Sequence, residues 1–259
     1  MTTVHIRGGR FNVRIDGAAA APALMLSNSL GTNLAMWDAQ IPALTRRFRV
    51  VRYDARGHGA SAVTVGPYTM EQLSRDVVAL LDALKIERAH FCGLSMGGMV
   101  GMWLGANAPE RIDRLVLCNT AAKIGSPEVY NARIDAVRKG GVASVADAVI
   151  DRWFTAPFRQ RSPEAVARMR AMLTATSAEG YAASCAAVRD MDLRETLARI
   201  KRPTLVIAGT HDLATPPADG QRMGQGIDGA RYVELDAAHI SNVEAAAVFT
   251  KAVTDFLTN

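Results

Sequence analysis

Ala89-His-Phe-Cys-Gly-Leu-Ser-Met-Gly-Gly98 joins a short apolar run to a helical one, Met99 to Ala108, through the pattern Gly93-x-Ser95-x-Gly97. A strand that passes at once into a helix leaves the corner residue in a strained backbone conformation. The positions two before and two after it must then be glycine or very small to avoid collision. Ser95 occupies that corner, so its hydroxyl is expected in open space at the edge of a sheet. Its place just ahead of a helix also leaves the Met96 amide without an intrahelical acceptor, where a developing oxyanion could use it. The competing reading is a glycine-rich turn without chemistry, but the strand-turn-helix context favours a nucleophile.

Outward from this corner, short apolar runs recur as Leu24-Met-Leu26, Phe48-Arg-Val-Val-Arg-Tyr53, Leu115-Val-Leu-Cys118, Pro203-Thr-Leu-Val-Ile-Ala208 and Tyr232-Val-Glu-Leu235. Helical patterns lie between most of them. Leu73, Val77, Leu80, Leu81 and Leu84 fall at spacings of three and four, one apolar stripe on a helix of about four turns. Strands alternating with helices predict an α/β fold with right-handed crossovers and a mostly parallel sheet flanked by helices; burial on both faces explains why the strands are continuously apolar. Ahead of this pattern, Val4, Ile6, Phe11, Val13 and Ile15 alternate with polar residues around Gly8-Gly9, which reads as a hairpin with its turn at the two glycines. The alternation stops between about Thr120 and Ile200, where helical segments are punctuated at Ser126-Pro127, Lys139-Gly-Gly141, Ala156-Pro157 and Ser162-Pro163. An excursion of that length is too large for a loop. The chain is therefore divided into a core, 1–120 and 200–259, and an all-helical cap inserted over residues 121–199.

Composition narrows the function classes. With 259 residues, 49% of them hydrophobic and 21% charged, the chain can bury a full core. The +5 net charge is scattered without a basic run, so a nucleic-acid partner is not expected. No stretch approaches the roughly 18 apolar residues of a membrane span, and the first residues lack the apolar core of a signal peptide; a cytoplasmic protein without membrane partners is expected. Cys92, Cys118 and Cys185 have no metal-ligand spacing and are read as buried thiols, with no metal site.

A serine hydroxyl is a weak nucleophile until a base takes its proton and a carboxylate orients that base. For a serine on a strand-to-helix corner the order along the chain is serine, acid, histidine. His5, His58 and His90 precede Ser95, which leaves His211 and His239. His239 lies in Asp236-Ala-Ala-His-Ile-Ser-Asn242, between the last strand and the final helix, at the sheet edge that carries Ser95. Asp212 follows the strand ending at Ala208-Gly209, where open α/β sheets place their sites. Asp219, Asp228 and Asp236 are rivals in later helical and turn segments. His58, in a Gly-His-Gly turn, reads as a device that ties a loop together, and His90 as a strand histidine satisfied by a neighbour. A second oxyanion donor is expected in Ser27-Asn-Ser-Leu-Gly-Thr-Asn33, with Gly31 turning the Leu30 amide toward Ser95.

Several strings resemble the α/β-hydrolase superfamily and, within it, the 3-oxoadipate enol-lactonase family. They are Leu26-Ser-Asn-Ser-Leu-Gly-Thr-Asn33 with Met36-Trp-Asp38, Tyr53-Asp-Ala-Arg-Gly-His-Gly-Ala-Ser61, Phe91-Cys-Gly-Leu-Ser-Met-Gly-Gly98, Ala208-Gly-Thr-His-Asp-Leu-Ala-Thr-Pro-Pro217, Ala238-His-Ile-Ser-Asn242 and, in the cap, Arg152-Trp-Phe-Thr155. Most are shared with neighbouring families; the asparagine-serine-leucine-glycine loop and the cap string carry most of the specific likeness. The triad it implies is Ser95, Asp212 and His239, with the Leu30 and Met96 amides as oxyanion hole. The implied reaction is cofactor-free hydrolysis of 3-oxoadipate enol-lactone to 3-oxoadipate in the catabolism of protocatechuate and catechol.

Such a substrate carries a free carboxylate, which should want a cation. Between Arg133 and Arg170 eight basic residues stand against four acidic ones. Arginines on cap helices are usually solvated, but one or two turned inward could bind a carboxylate bidentately. Arg133, with Trp153 as an apolar wall, is the expected substrate contact. A meta-cleavage-type carbon–carbon bond hydrolase, a general carboxylesterase, a cofactor-free haloperoxidase-like protein and a ligand receptor built on the same scaffold are the alternatives. The sequence leaves homo-oligomerisation open.

Overall fold

The computed structural model describes residues 2–259. Eight strands form one sheet: β1 (Thr2–Ile6), β2 (Gly9–Asp16), β3 (Ala23–Ser27), β4 (Arg49–Tyr53), β5 (Ala89–Leu94), β6 (Ile112–Cys118), β7 (Thr204–Gly209) and β8 (Arg231–Leu235). Their order across the sheet is β1-β2-β4-β3-β5-β6-β7-β8. The β1–β2 and β2–β4 pairings are antiparallel, and all pairings from β4 to β8 are parallel. The carboxyl ends of β3, β5, β6, β7 and β8 therefore share one edge.

The hairpin forms as expected, with a shift in its turn. Ile6 stands opposite Gly9, so the turn residues are Arg7-Gly8 and not Gly8-Gly9. Gly9 is the first residue of β2, at φ +122, and a Cβ there would lie 2.8 Å from Ala62. It supplies a backbone conformation, not a turn position.

The helices are α1 (Ile41–Leu44), α2 (Met70–Ala83), α3 (Met96–Asn107), α4 (Pro127–Gly140), α5 (Ala146–Trp153), α6 (Ala156–Arg161), α7 (Pro163–Thr174), α8 (Ala178–Asp190), α9 (Pro217–Gly226), α10 (Ser241–Glu244) and α11 (Ala246–Thr258). In α2 the Thr69 hydroxyl caps the start by accepting from the Gln72 amide at 3.0 Å, and Leu73, Val77, Leu80 and Leu81 are buried. This is the apolar stripe read from the sequence.

Strand alternation shows how both faces of the sheet are covered. Phe91, Leu115 and Leu117 meet Gly101 of α3 on one face. The intervening Arg114 reaches the other face, where its guanidinium lies 5.7 Å from the ring of Phe256 in α11. β7 is buried along its whole length, as a central parallel strand must be.

Between β6 and β7 the chain forms α4 to α8 and no strand, the inserted helical region here called the cap. It sits on the loops at the carboxyl edge. Leu173 and Tyr181 press so closely on Gly31 that a Cβ there would meet them at 2.5 and 2.9 Å. Gly57 and Gly180 cross with equally little room, since a Cβ on Gly57 would be 2.6 Å from the Gly180 Cα. No helix among the described residues is long and apolar enough to cross a membrane.

Candidate active site

Ser95 stands between β5 and α3 with φ 56 and ψ −116, the strained corner expected of it. The flanking glycines are required by contact. A Cβ on Gly93 would lie 2.1 Å from the Gly97 carbonyl oxygen, and one on Gly97 would lie 2.2 Å from that of Ser27. The corner is pinned from three sides: Ser95 N donates to Cys118 O at 2.9 Å, the Thr120 hydroxyl donates to Ser95 O at 2.8 Å, and Gly97 N donates to Asn28 O at 3.0 Å. That last bond holds the loop after β3 against the elbow. Within that loop Gly31 adopts φ +79, and Leu30 comes to line a cavity beside Ser95. Neither the Leu30 nor the Met96 amide finds an acceptor among the described residues, which suits both to an oxyanion.

His58 ties this loop down. Its Nε2 accepts from Gly31 N at 2.9 Å while Nδ1 sits 3.1 Å from Arg56 O. Burial depresses its pKa, opposed by the bond to the Arg56 carbonyl, and both contacts need the neutral ring with its proton on Nδ1. His90 differs from the expectation: its Nδ1 is buried without a hydrogen-bond partner, and the ring packs edge-on against Phe48 at 5.6 Å.

Asp212, after β7, and His239, after β8, meet through Oδ2 and Nδ1 at 2.8 Å. Both are buried. Asp212 Oδ1 accepts from the amides of Ala214 and Thr215 at 2.8 and 2.9 Å; Oδ2 also accepts from the Thr215 hydroxyl at 2.7 Å and from Asn119 Nδ2 at 3.1 Å. Burial works to raise its pKa, but the charge and hydrogen bond of His239, with those of Thr215, hold the carboxyl below the usual carboxylate range. The ion is kept, and it fixes the imidazole with Nε2 as the nitrogen that can take a proton. Ser95 and His239 line one cavity without a direct hydrogen bond to each other. Such contacts commonly tighten when substrate arrives.

The rival acids are elsewhere. Asp219 pairs with Arg222, Asp228 is exposed, and Asp236 pairs with exposed His211 at 2.9 Å. Asn119 and Thr215 escaped the sequence reading. Asn119 takes φ 44, donates to both Asp212 and Ala238 O, and accepts from the Ser241 hydroxyl at 2.5 Å. Its place directly after β6 was the available signal, since Asn is among the few residues that tolerate positive φ at a strand end.

The cavity has a volume of about 240 Å³ and runs from Ser95 and His239 up into the cap. Arg133 and Trp153 both line it, as expected, and so do Arg152 and Tyr130. The guanidinium of Arg133 lies 5.4 Å from the Tyr130 ring centre, and Tyr181 lines the same cavity. Burial opposes the Arg133 charge, but the two phenols hold its pKa up; burial in turn pushes Tyr130 to about 12. Other cap cations are taken up in ion pairs: half-buried Arg159 pairs with Asp151 and half-buried Arg170 with Asp147. Among the described residues neither Arg133 nor Arg152 has a carboxylate partner.

Residues 22–246 match the family model described as alpha/beta hydrolase fold. The chain belongs to the α/β-hydrolase family. Among curated members it is 48% identical over 242 residues to 3-oxoadipate enol-lactonase 2 of Acinetobacter baylyi, covering 93% of this chain and 91% of the relative. It is 41% identical over 251 residues to 3-oxoadipate enol-lactonase 1 of the same organism, covering 97% and 94%. The crystal structure of the enol-lactonase from Burkholderia xenovorans superposes with a TM-score of 0.99 at 53% identity, over 100% of both chains. This α/β-hydrolase is thus closely related to the 3-oxoadipate enol-lactonases over nearly its whole length.

Proposed function

We propose that this α/β-hydrolase is a carboxylic ester hydrolase of the 3-oxoadipate enol-lactonase type, opening the enol-lactone ring to 3-oxoadipate in the β-ketoadipate pathway. The observation that carries the reading is a cavity that has Ser95 and the Asp212-bound imidazole of His239 at its floor and two guanidiniums without carboxylate partners in its roof. An ester-cleaving floor under a cationic roof suits a small lactone with an anionic arm.

His239 Nε2 takes the Ser95 proton as Oγ forms a bond to the lactone carbonyl carbon, and the tetrahedral oxyanion is met by the Leu30 and Met96 amides. The ring C–O bond then breaks. Its electron pair leaves on the enol oxygen, which receives the proton from His239, and the enol relaxes to the ketone. Water, giving a proton to His239, attacks the acyl carbon; the acyl–Oγ bond breaks, Ser95 Oγ takes that proton back from His239, and the second carboxylate is released. An enolate leaves more easily than an alkoxide, so orientation by the cap matters more than leaving-group activation. Arg133, with Arg152 beside it, binds the carboxylate arm while Trp153 walls the ring.

Steady-state hydrolysis of freshly generated enol-lactone, a neutral p-nitrophenyl ester and a meta-cleavage product, by wild type and Ser95→Ala, tests the reading. Turnover of the enol-lactone well above the other two, lost in the variant, is expected. A preference for the neutral ester or for the carbon–carbon substrate would overturn the substrate assignment and keep the nucleophile.

A further inference from the structure

His239 sits on a short loop that the cap grips on both sides. On one side Ile240 N donates to the carbonyl of Trp153 at 3.1 Å. On the other, Ala238 N donates to Glu244 Oε2 at 2.9 Å, and the same carboxylate accepts from the Thr155 hydroxyl and, at 3.3 Å, from the Thr155 amide. Trp153 and Thr155 are two residues apart at the junction of α5 and α6, so one cap segment reaches the residue before His239 and the residue after it. Glu244 is buried, with 9% of its surface exposed. A buried carboxylate is costly unless its hydrogen bonds are made, and here they are made by the histidine loop and the cap together. Thr155 is itself held, because its oxygen caps α6 by accepting from Phe158 N at 3.3 Å.

We infer that Glu244 is a positioning residue for the base. It joins the Ala238 amide to Thr155 and so sets where His239 stands relative to Ser95, with the cap segment that carries the Trp153 wall as the reference point. The cap then has two roles in hydrolysis: its inward side chains meet substrate, and its backbone at 153–155 holds the imidazole. This rests on His239 being the base of the proposed reaction.

Because His239 serves every ester, loss of the link should lower kcat for the carboxylated lactone and for a neutral p-nitrophenyl ester alike. Glu244→Ala is expected to reduce kcat roughly 10- to 100-fold with KM changed less than about threefold, the size of effect that a displaced catalytic group produces. Thr155→Val should act in the same direction, Thr155→Ser should restore wild-type kcat, and the double variant Glu244→Ala/Thr155→Val should be no slower than Glu244→Ala, since both break one network. A purely structural Glu244 would lower Tm and leave kcat of the folded protein unchanged. Folded Glu244→Ala with kcat within about threefold of wild type, a loss confined to KM, or additive single effects would each overturn the inference; should Glu244→Ala fail to fold, the Thr155 pair decides by the same criteria. Ser95→Ala assayed in parallel separates the two levels. If it still turns over, the nucleophile reading fails; if it is inactive while Glu244→Ala is normal, only the positioning role does.

Discussion

Ser95 and His239, the latter held from behind by Asp212, form the floor of the cavity and Arg133 and Arg152 its roof, and floor and roof are held in different ways. The floor is fixed by backbone: a corner at φ 56, glycines that a single methyl would break, and a carboxylate that receives hydrogen bonds from two amides, a hydroxyl, an asparagine and the imidazole. The roof is held by side-chain packing on helices, with the Arg133 guanidinium lying over the Tyr130 ring. A rigid floor suits a reaction whose geometry cannot vary, and a roof built from packed helices lets related chains change the ring and the arm they accept while keeping the bond they break.

The contrast is open to attack at several points. Removing the nucleophile, Ser95→Ala, should cost roughly 10⁴-fold or more in kcat for every ester tested, leaving only what binding and the oxyanion hole supply; a loss under about tenfold would show that the floor does not run the chemistry. Asp212→Asn should leave Tm close to wild type yet lower kcat by roughly 10³- to 10⁴-fold, because the imidazole loses its enforced tautomer. Near-normal turnover in that variant would mean that the buried pair is structural. Arg133→Met should raise KM for the enol-lactone about 10- to 100-fold and leave a neutral ester within about twofold, since one charge-assisted contact is lost. Equal effects on both substrates would dissolve the division between floor and roof. The smallest effect is on acid stability. Burial lowers the pKa of His58 in the folded chain, so the unfolded chain binds more protons, and the stabilisation is complete above about pH 6.5 and lost as the pH falls below it. His58→Gln should flatten that limb of a Tm-against-pH curve, by about 2–4 °C. His90, lowered first by burial as well, leaves a residual slope of the same sign.

The floor was legible because its requirements are local. Gly93, Ser95 and Gly97 lie within five positions, and the collision that demands Gly93 is with Gly97 itself, although Gly97 is demanded by Ser27 at the end of the neighbouring strand β3. Asp212 and His239 were found by chain order and by their position after apolar strands, which a parallel sheet brings to one edge whatever its exact twist. The turn of the first hairpin misled because Gly8-Gly9 contains two glycines, and only the register shows that the second is needed for a φ of +122 inside β2. His90 was expected to be satisfied by a neighbour, but the register turns it toward Phe48, a ring that offers its Nδ1 no acceptor.

In the cap the position is reversed. Arg133 and Arg152 carry the same charge as Arg159 and Arg170, and no periodicity distinguishes the cations that line the cavity from those that pair with carboxylates. Glu244 carries no motif or spacing in the sequence that marks it. Its role depends on Thr155, which is 89 positions away in the chain, and on Ala238, and no spacing brings those two together. The amino-acid sequence by itself determined the sheet, the elbow and the three residues that the proposed mechanism uses, because backbone sterics and strand order act over a few residues or through a rule of topology. Which cap side chains face the substrate, and what anchors His239, were decided only when the helices packed, because those contacts join segments that are distant in the chain and are set by the shape of the whole cap against the edge of the sheet.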